Sequence, residues 1–210
     1  MKTATLRKFG THDSIARLIL AALVLSAAVA ANLTEADKKE GLAQLERTRA
    51  GVVQATKGLS EAQWKFKPGP DRWSVAEVLE HIALVEEYLL ENTSQKVMAA
   101  PAGRADRDYK RTDKFVLSAI SDRTRKAQAP EPVVPSGRWS PQQALEQFLK
   151  TRTRTIAFLE SAPGLRDHVL DSPLGQPLDA YQWLLYISAH SERHTKQILE
   201  VKADPNFPRK

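Results

Sequence analysis

The sequence predicts an all-α protein: a four-helix bundle with one short extra helix in the connection between its second and third long helices. Three observations carry that reading. Four segments of similar length repeat apolar residues at helical spacing, and each opens on a plausible capping residue. No segment of comparable strength alternates with a period of two, so no sheet is expected. Amphipathic helices of like length bury their stripes most simply against one another.

The first long helix is expected over about 35–57, with Thr34 as N-cap and Leu42, Leu45, Val52 and Val53 as apolar positions. Ser60-Glu61-Ala62-Gln63 reads as a short capped turn before the Pro68-Gly69-Pro70 break. Ser74-Val75-Ala76-Glu77 is a capping box that starts the second long helix, carried to about residue 98 by the stripe Val75, Val78, Leu79, Ile82, Val85 and Leu89. Residues 99–114 are polar, contain Pro101 and Gly103, and read as a loop. The extra helix is expected over about 115–126, ended by Pro130, Pro132 and Pro135. Ser140-Pro141-Gln142-Gln143 combines an N-cap, a proline at the first helical position and a glutamine partner. That third long helix runs to about 161 and buries Leu145, Phe148, Leu149, Ile156 and Leu159. Pro163-Gly164 stops it, the 173–177 segment turns, and Asp179 caps the last helix, 180–202.

The last helix carries the most informative chemistry, His190 and His194. Four residues apart on a helix, two imidazoles stack on one face and can offer nitrogens to one divalent metal. Both fall on the flank of the stripe formed by Leu184, Ile187, Ile198 and Val201. His81 lies at the edge of the stripe on the second helix, near its N-terminal end. Three imidazoles with an open fourth position make a catalytic-type zinc or nickel site. By spacing alone, the same residues also fit ordinary core-edge histidines. Glu77, one turn before His81, is a candidate to accept from a ligand imidazole or to shuttle a proton, and it also fits as the residue that completes the helix cap. Glu80 and Glu192 read as solvated helix-face residues. Trp73, Tyr88, Tyr181 and Trp183 are candidates for core or pocket wall. His12 and His168 receive no role. Neutral imidazole ligands would lose a metal as the pH drops through roughly 6 to 5.

The chain opens as a targeting segment: Lys2, Arg7, Lys8 and Arg17 precede an uncharged run that ends in Ala28-Val29-Ala30, a small-x-small cleavage pattern. Residues 1–30 are therefore expected to be a signal peptide and residues 31–210 the bundle domain, in a periplasmic or secreted protein. An uncleaved anchor is the alternative, although the apolar run is short for a span. Without the leader, 27 Lys and Arg face 24 Asp and Glu, so the net charge falls from +6 to +3. No basic run is interleaved with aromatics, which argues against nucleic acid. The absence of cysteine excludes disulfides, thiolate metal sites, a cysteine nucleophile and a lipoprotein anchor.

At Leu59-Ser60-Glu61-Ala62-Gln63-Trp64, at Arg72-Trp73-Ser74-Val75-Ala76-Glu77-Val78-Leu79-Glu80-His81 and at Ala189-His190-Ser191-Glu192-Arg193-His194-Thr195-Lys196-Gln197-Ile198, the chain resembles the DinB-like superfamily of metal-binding four-helix bundles. The resemblance covers nearly all of the chain after the leader. It implies a metal triad of His81, His190 and His194, a small-molecule substrate or ligand, and a homodimer. It also implies a reaction class that is either hydrolytic or the transfer of a low-molecular-weight thiol. Export sets this chain apart from the cytosolic thiol transferases, so a metal-dependent hydrolase is the leading expectation. Thiol transfer and a non-catalytic ligand-binding module in the envelope are the alternatives.

Overall fold

The computed structural model describes residues 33–104, 106–124 and 126–209; the expected signal peptide lies outside them. Four long helices are present: α1 (Glu35–Thr56), α3 (Val75–Glu91), α5 (Pro141–Ser161) and α6 (Ala180–Lys202), with α2 (Glu61–Lys65) and α4 (Tyr109–Ser121) between them. Each long helix is started by a reciprocal capping box, on Thr34, Ser74, Ser140 and Asp179. In each, one side-chain oxygen satisfies an orphan amide of the first turn while the third residue reaches back.

Around the bundle, α1 packs on α5 and α6, and α3 packs on the same two helices. Gly41 lies beside Tyr181 and Gly51 beside Thr195, so α1 and α6 run in the same direction. A Cβ on Gly41 would stand 2.8 Å from the Tyr181 ring, which is why a glycine occupies that crossing. Arg152 reaches Leu45 and Lys38 reaches Glu160, so α5 runs against α1. Glu80 contacts the segment just before α5 while Glu86 meets Arg152 and Thr155, so α3 runs with α5. Of the two parallel neighbour pairs, only α3 and α5 are consecutive long helices, and the connection between them is the long crossover that a parallel pair needs. It carries α4, which packs on the outside of α6.

The core is two apolar clusters, one centred on Leu45, Leu89, Leu159 and Leu184, the other on Val52, Val78, Leu79, Phe148 and Ile198. Between them lies a buried polar layer of Arg152, Glu86, Thr48, Thr155 and Ser191. A second buried network joins Arg166 to Asp113 and Asp179 at the N-terminal end of α6.

Three boundaries differ from the sequence expectation. The second long helix leaves α geometry after Glu91 and continues as one π-helical stretch, Asn92–Val97, where the Thr93 hydroxyl donates to the Leu89 carbonyl. Helix α4 begins at Tyr109, six residues early, and ends at Ser121. Its first turns look like loop because their buried residue is Asp113, paired with Arg166, and a polar inward face leaves no apolar period. There is also a small sheet, a hairpin of β1 (Val169–Asp171) and β2 (Pro177–Asp179) around the expected turn. Strands of three residues are too short to show alternation. No helix among the described residues is long and apolar enough to cross a membrane.

Candidate metal centre

His81 stands in the second turn of α3, and His190 and His194 on successive turns of α6. The antiparallel packing of those helices brings the three rings together. Their centroids are 5.0 Å apart for His81 and His190, 4.6 Å for His81 and His194, and 4.3 Å for His190 and His194. Each residue offers one ligand atom such that the three lie within 4.8 Å of one another. His81 and His194 are buried, and His190 keeps a partly exposed edge.

Two of the rings are oriented by hydrogen bonds. His81 Nδ1 lies 2.7 Å from the carbonyl oxygen of Val133, in the turn Glu131–Val133. A carbonyl only accepts, so this ring carries its proton on Nδ1 and leaves the Nε2 lone pair free. His194 Nδ1 lies 2.8 Å from Gln197 Oε1, an oxygen that also accepts from Arg123 at 3.3 Å. Arg123 is in turn held side-on by Glu200, at 2.9 and 2.6 Å. Acceptors on Nδ1 that fix tautomer and ring direction are the usual outer shell of histidine metal sites.

Burial sets the charge of the cluster. His194 is pushed down to about 3, first by burial and then by the neighbouring His81. His190 falls well below the ordinary histidine value for the same first reason, with His194 and His81 adding to it. His81 is also lowered by burial, against the hydrogen bond to Val133. All three imidazoles are therefore neutral at pH 7, the form that ligates a metal.

The other candidates fall as follows. Glu77 does not hold His81: one of its oxygens accepts from the Ser74 amide at 2.7 Å and the other pairs with Lys67 at 2.7 Å. The acceptor on His81 is Val133, and Glu77 serves the helix cap. Glu80 is not solvated, as expected of it, but 2% exposed, because backbone amides of the 136–138 segment surround its carboxylate. Glu192 sits at the surface between Arg47 and Lys196. Trp73 borders the triad, its ring centroid 4.9 Å from that of His81. Trp183 is buried and stacks on Tyr186, Tyr88 is exposed, and Tyr181 donates to the Asp37 carbonyl beside the Arg166 network. His168 is held by the Ala100 carbonyl at 2.6 Å, outside the cluster. Gln197 was open to sequence reasoning, since it lies three residues beyond His194 on one helix face. A backbone carbonyl such as that of Val133 leaves no side-chain signal.

The family model of the DinB superfamily matches residues 44–198. The chain belongs to the DinB superfamily. Among relatives of this DinB-superfamily chain, the protein YuaE of Bacillus subtilis (strain 168) is 29% identical over 150 residues, 70% of this chain and 87% of YuaE. Among solved structures, YfiT from Bacillus subtilis matches with a TM-score of 0.53 at 17% identity, covering 83% of this chain and 91% of YfiT. YfiT is described as a probable metal-dependent hydrolase with an unusual four-helix bundle topology. At that identity the likeness establishes the shared fold.

Proposed function

We propose that this DinB-superfamily protein is a metal-dependent hydrolase acting on a small molecule, with His81, His190 and His194 as the ligands of one divalent cation, zinc or nickel. The observation that carries the reading is the pair of anchored rings. Val133 and Gln197 each occupy an Nδ1 and leave an Nε2 free, beside a third imidazole within ligating reach. Three nitrogen donors without a carboxylate suit zinc or nickel better than magnesium or calcium. A cation held by three neutral ligands would supply Lewis acidity toward a carbonyl or similar electrophile, with a position left for water or substrate.

The chain's own residues prepare that chemistry. Burial keeps the three imidazoles unprotonated, the Val133 and Gln197 oxygens keep two of them aimed, and the Trp73 ring packs beside His81. The description of YfiT as a hydrolase lends support from a protein of the same fold. Elemental analysis of the purified protein, followed by turnover on ester, amide and thiol-transfer panels, tests the reading. Metal with hydrolysis supports it. Metal with thiol transfer alone, or metal without turnover, would replace it with the transferase or the ligand-binding module.

Export belongs to the same proposal, supported by the basic residues, apolar run and Ala28-Val29-Ala30 of the leader. N-terminal sequencing of protein from the cell envelope or medium should find a chain beginning near Ala31. A cytosolic chain still starting at Met1 would refute it.

A further inference from the structure

Glu80 lies next to His81 in the sequence, and its carboxylate grips the connection that enters α5. Oε1 accepts from the Ser136 amide at 3.1 Å and the Arg138 amide at 3.3 Å, and Oε2 accepts from the Gly137 amide at 2.9 Å. The Ser136 hydroxyl stands 3.5 Å from Oε1, and the Arg138 guanidinium 3.6 Å from it. Three successive amides turned onto one carboxylate form an anion nest, a concavity that requires unusual backbone angles. Gly137 supplies them, with φ at +73°.

The same connection holds Val133, 3% exposed, whose carbonyl accepts from His81 Nδ1. Adjacent residues of α3 therefore hold this segment at two points, Glu80 through residues 136–138 and His81 through Val133. A charged clamp of several hydrogen bonds is much the stronger of the two. It fixes where the Val133 carbonyl lies, and that carbonyl fixes the ring.

We propose that Glu80 is a positioning residue for the histidine centre: by clamping residues 136–138 it places the Val133 carbonyl and so holds His81 as the Nδ1–H tautomer with Nε2 free. The consequence for metal affinity rests on the metal reading above; the tautomer does not. Removal of Glu80 frees three amides and lets the connection drift, so His81 loses its acceptor although nothing touching the ring has been substituted. His194 serves as an internal reference, because Gln197 on its own helix holds it.

Long-range proton–nitrogen NMR of the imidazoles in the metal-free full chain at pH 7 reads each tautomer directly. Wild-type His81 should show one Nδ1–H species. Glu80→Ala should turn it into a mixture of tautomers, Glu80→Gln should do so less, and His194 should not change. Gly137→Ala tests the clamp from its other side. Its Cβ meets nothing within 4 Å, so the substitution acts through the strained φ alone and the bundle should keep its fold. The zinc dissociation constant should rise about 10- to 100-fold in Glu80→Ala, the usual effect of removing an outer-shell partner. Folded Glu80→Ala and Gly137→Ala variants that both keep a single His81 tautomer would overturn the proposal. A tautomer shift in a protein whose wild type binds no zinc would support the clamp and defeat the metal reading.

Discussion

Arg152 and Glu86 face each other side-on in the middle of the bundle, with Nε to Oε1 and Nη2 to Oε2 both at 2.7 Å and neither side chain more than 1% exposed. The remaining donors go to the Leu45 carbonyl, the Thr48 hydroxyl and the Ser191 hydroxyl, so one guanidinium ties α5 to α1, α3 and α6. Ser191 neighbours His190, which links the polar layer to the registration of α6 at the site.

Arg152→Met should therefore lower stability by about 3–5 kcal/mol, because it leaves the Glu86 charge buried without its partner. The double variant Arg152→Met, Glu86→Leu should recover most of that loss, since apolar replacements of similar volume make no such demand. Urea denaturation of the three proteins checks both parts. A single variant within about 0.5 kcal/mol of wild type would contradict the account, that being the range of ordinary surface changes.

What could be read from the sequence divides along the same physical line. The stripes Val75, Val78, Leu79, Ile82 and Leu184, Ile187, Ile198, Val201 are all buried, and the four capping boxes lie where Thr34, Ser74, Ser140 and Asp179 indicate. Apolar period and cap chemistry are local, so a single chain displays them. Arg152, Glu80 and Asp113 are buried charges whose partners are distant in sequence, and hydrophobic periodicity assigns such residues to the surface. The His190 and His194 pair was visible for the same local reason as the stripes. Its meeting with His81 was not, because it depends on how α3 and α6 pack, and it entered through the family resemblance.

His81→Ala, His190→Ala and His194→Ala should each reduce metal affinity by more than about 100-fold, since loss of a ligand exceeds the 10- to 100-fold effect of an outer-shell change. His168→Ala should leave metal content unchanged, because that ring binds the Ala100 carbonyl. Metal analysis after equilibration at limiting zinc or nickel makes the comparison. Full occupancy in the three triad variants would remove the assignment.

Glu77→Ala should cost about 1 kcal/mol of stability with no change in metal content, because the carboxylate completes the α3 cap and pairs with Lys67. Glu77→Gln should retain the cap and behave nearly as wild type. Thermal denaturation and metal analysis of both variants separate the roles. A loss of metal at unchanged stability would return Glu77 to the site.

Acid should weaken the metal-free protein in a window set by the histidines. The unfolded chain takes up protons near the ordinary imidazole value of ~6.5. The folded chain resists, with His194 pushed down to about 3 and His81 and His190 also lowered. Between those limits the unfolded state binds more protons, so stability present above pH ~6.5 is lost as the pH falls toward 3, at roughly 1.4 kcal/mol per pH unit for His194 alone. Asp179 works the other way: burial raises it to about 6 against the opposing pull of Arg166, so the folded state gains stability as the pH drops below that value. For the metal-bound protein, the lowered values mean that protons begin to compete below the window of roughly 6 to 5 that unperturbed imidazoles would give. Denaturation of the metal-free protein across pH 7 to 4 should show the decline, and it should be shallower in His194→Gln. Metal content followed over the same range should hold at pH 6; half the metal lost by that point would show that the folded protein does not keep these imidazoles neutral.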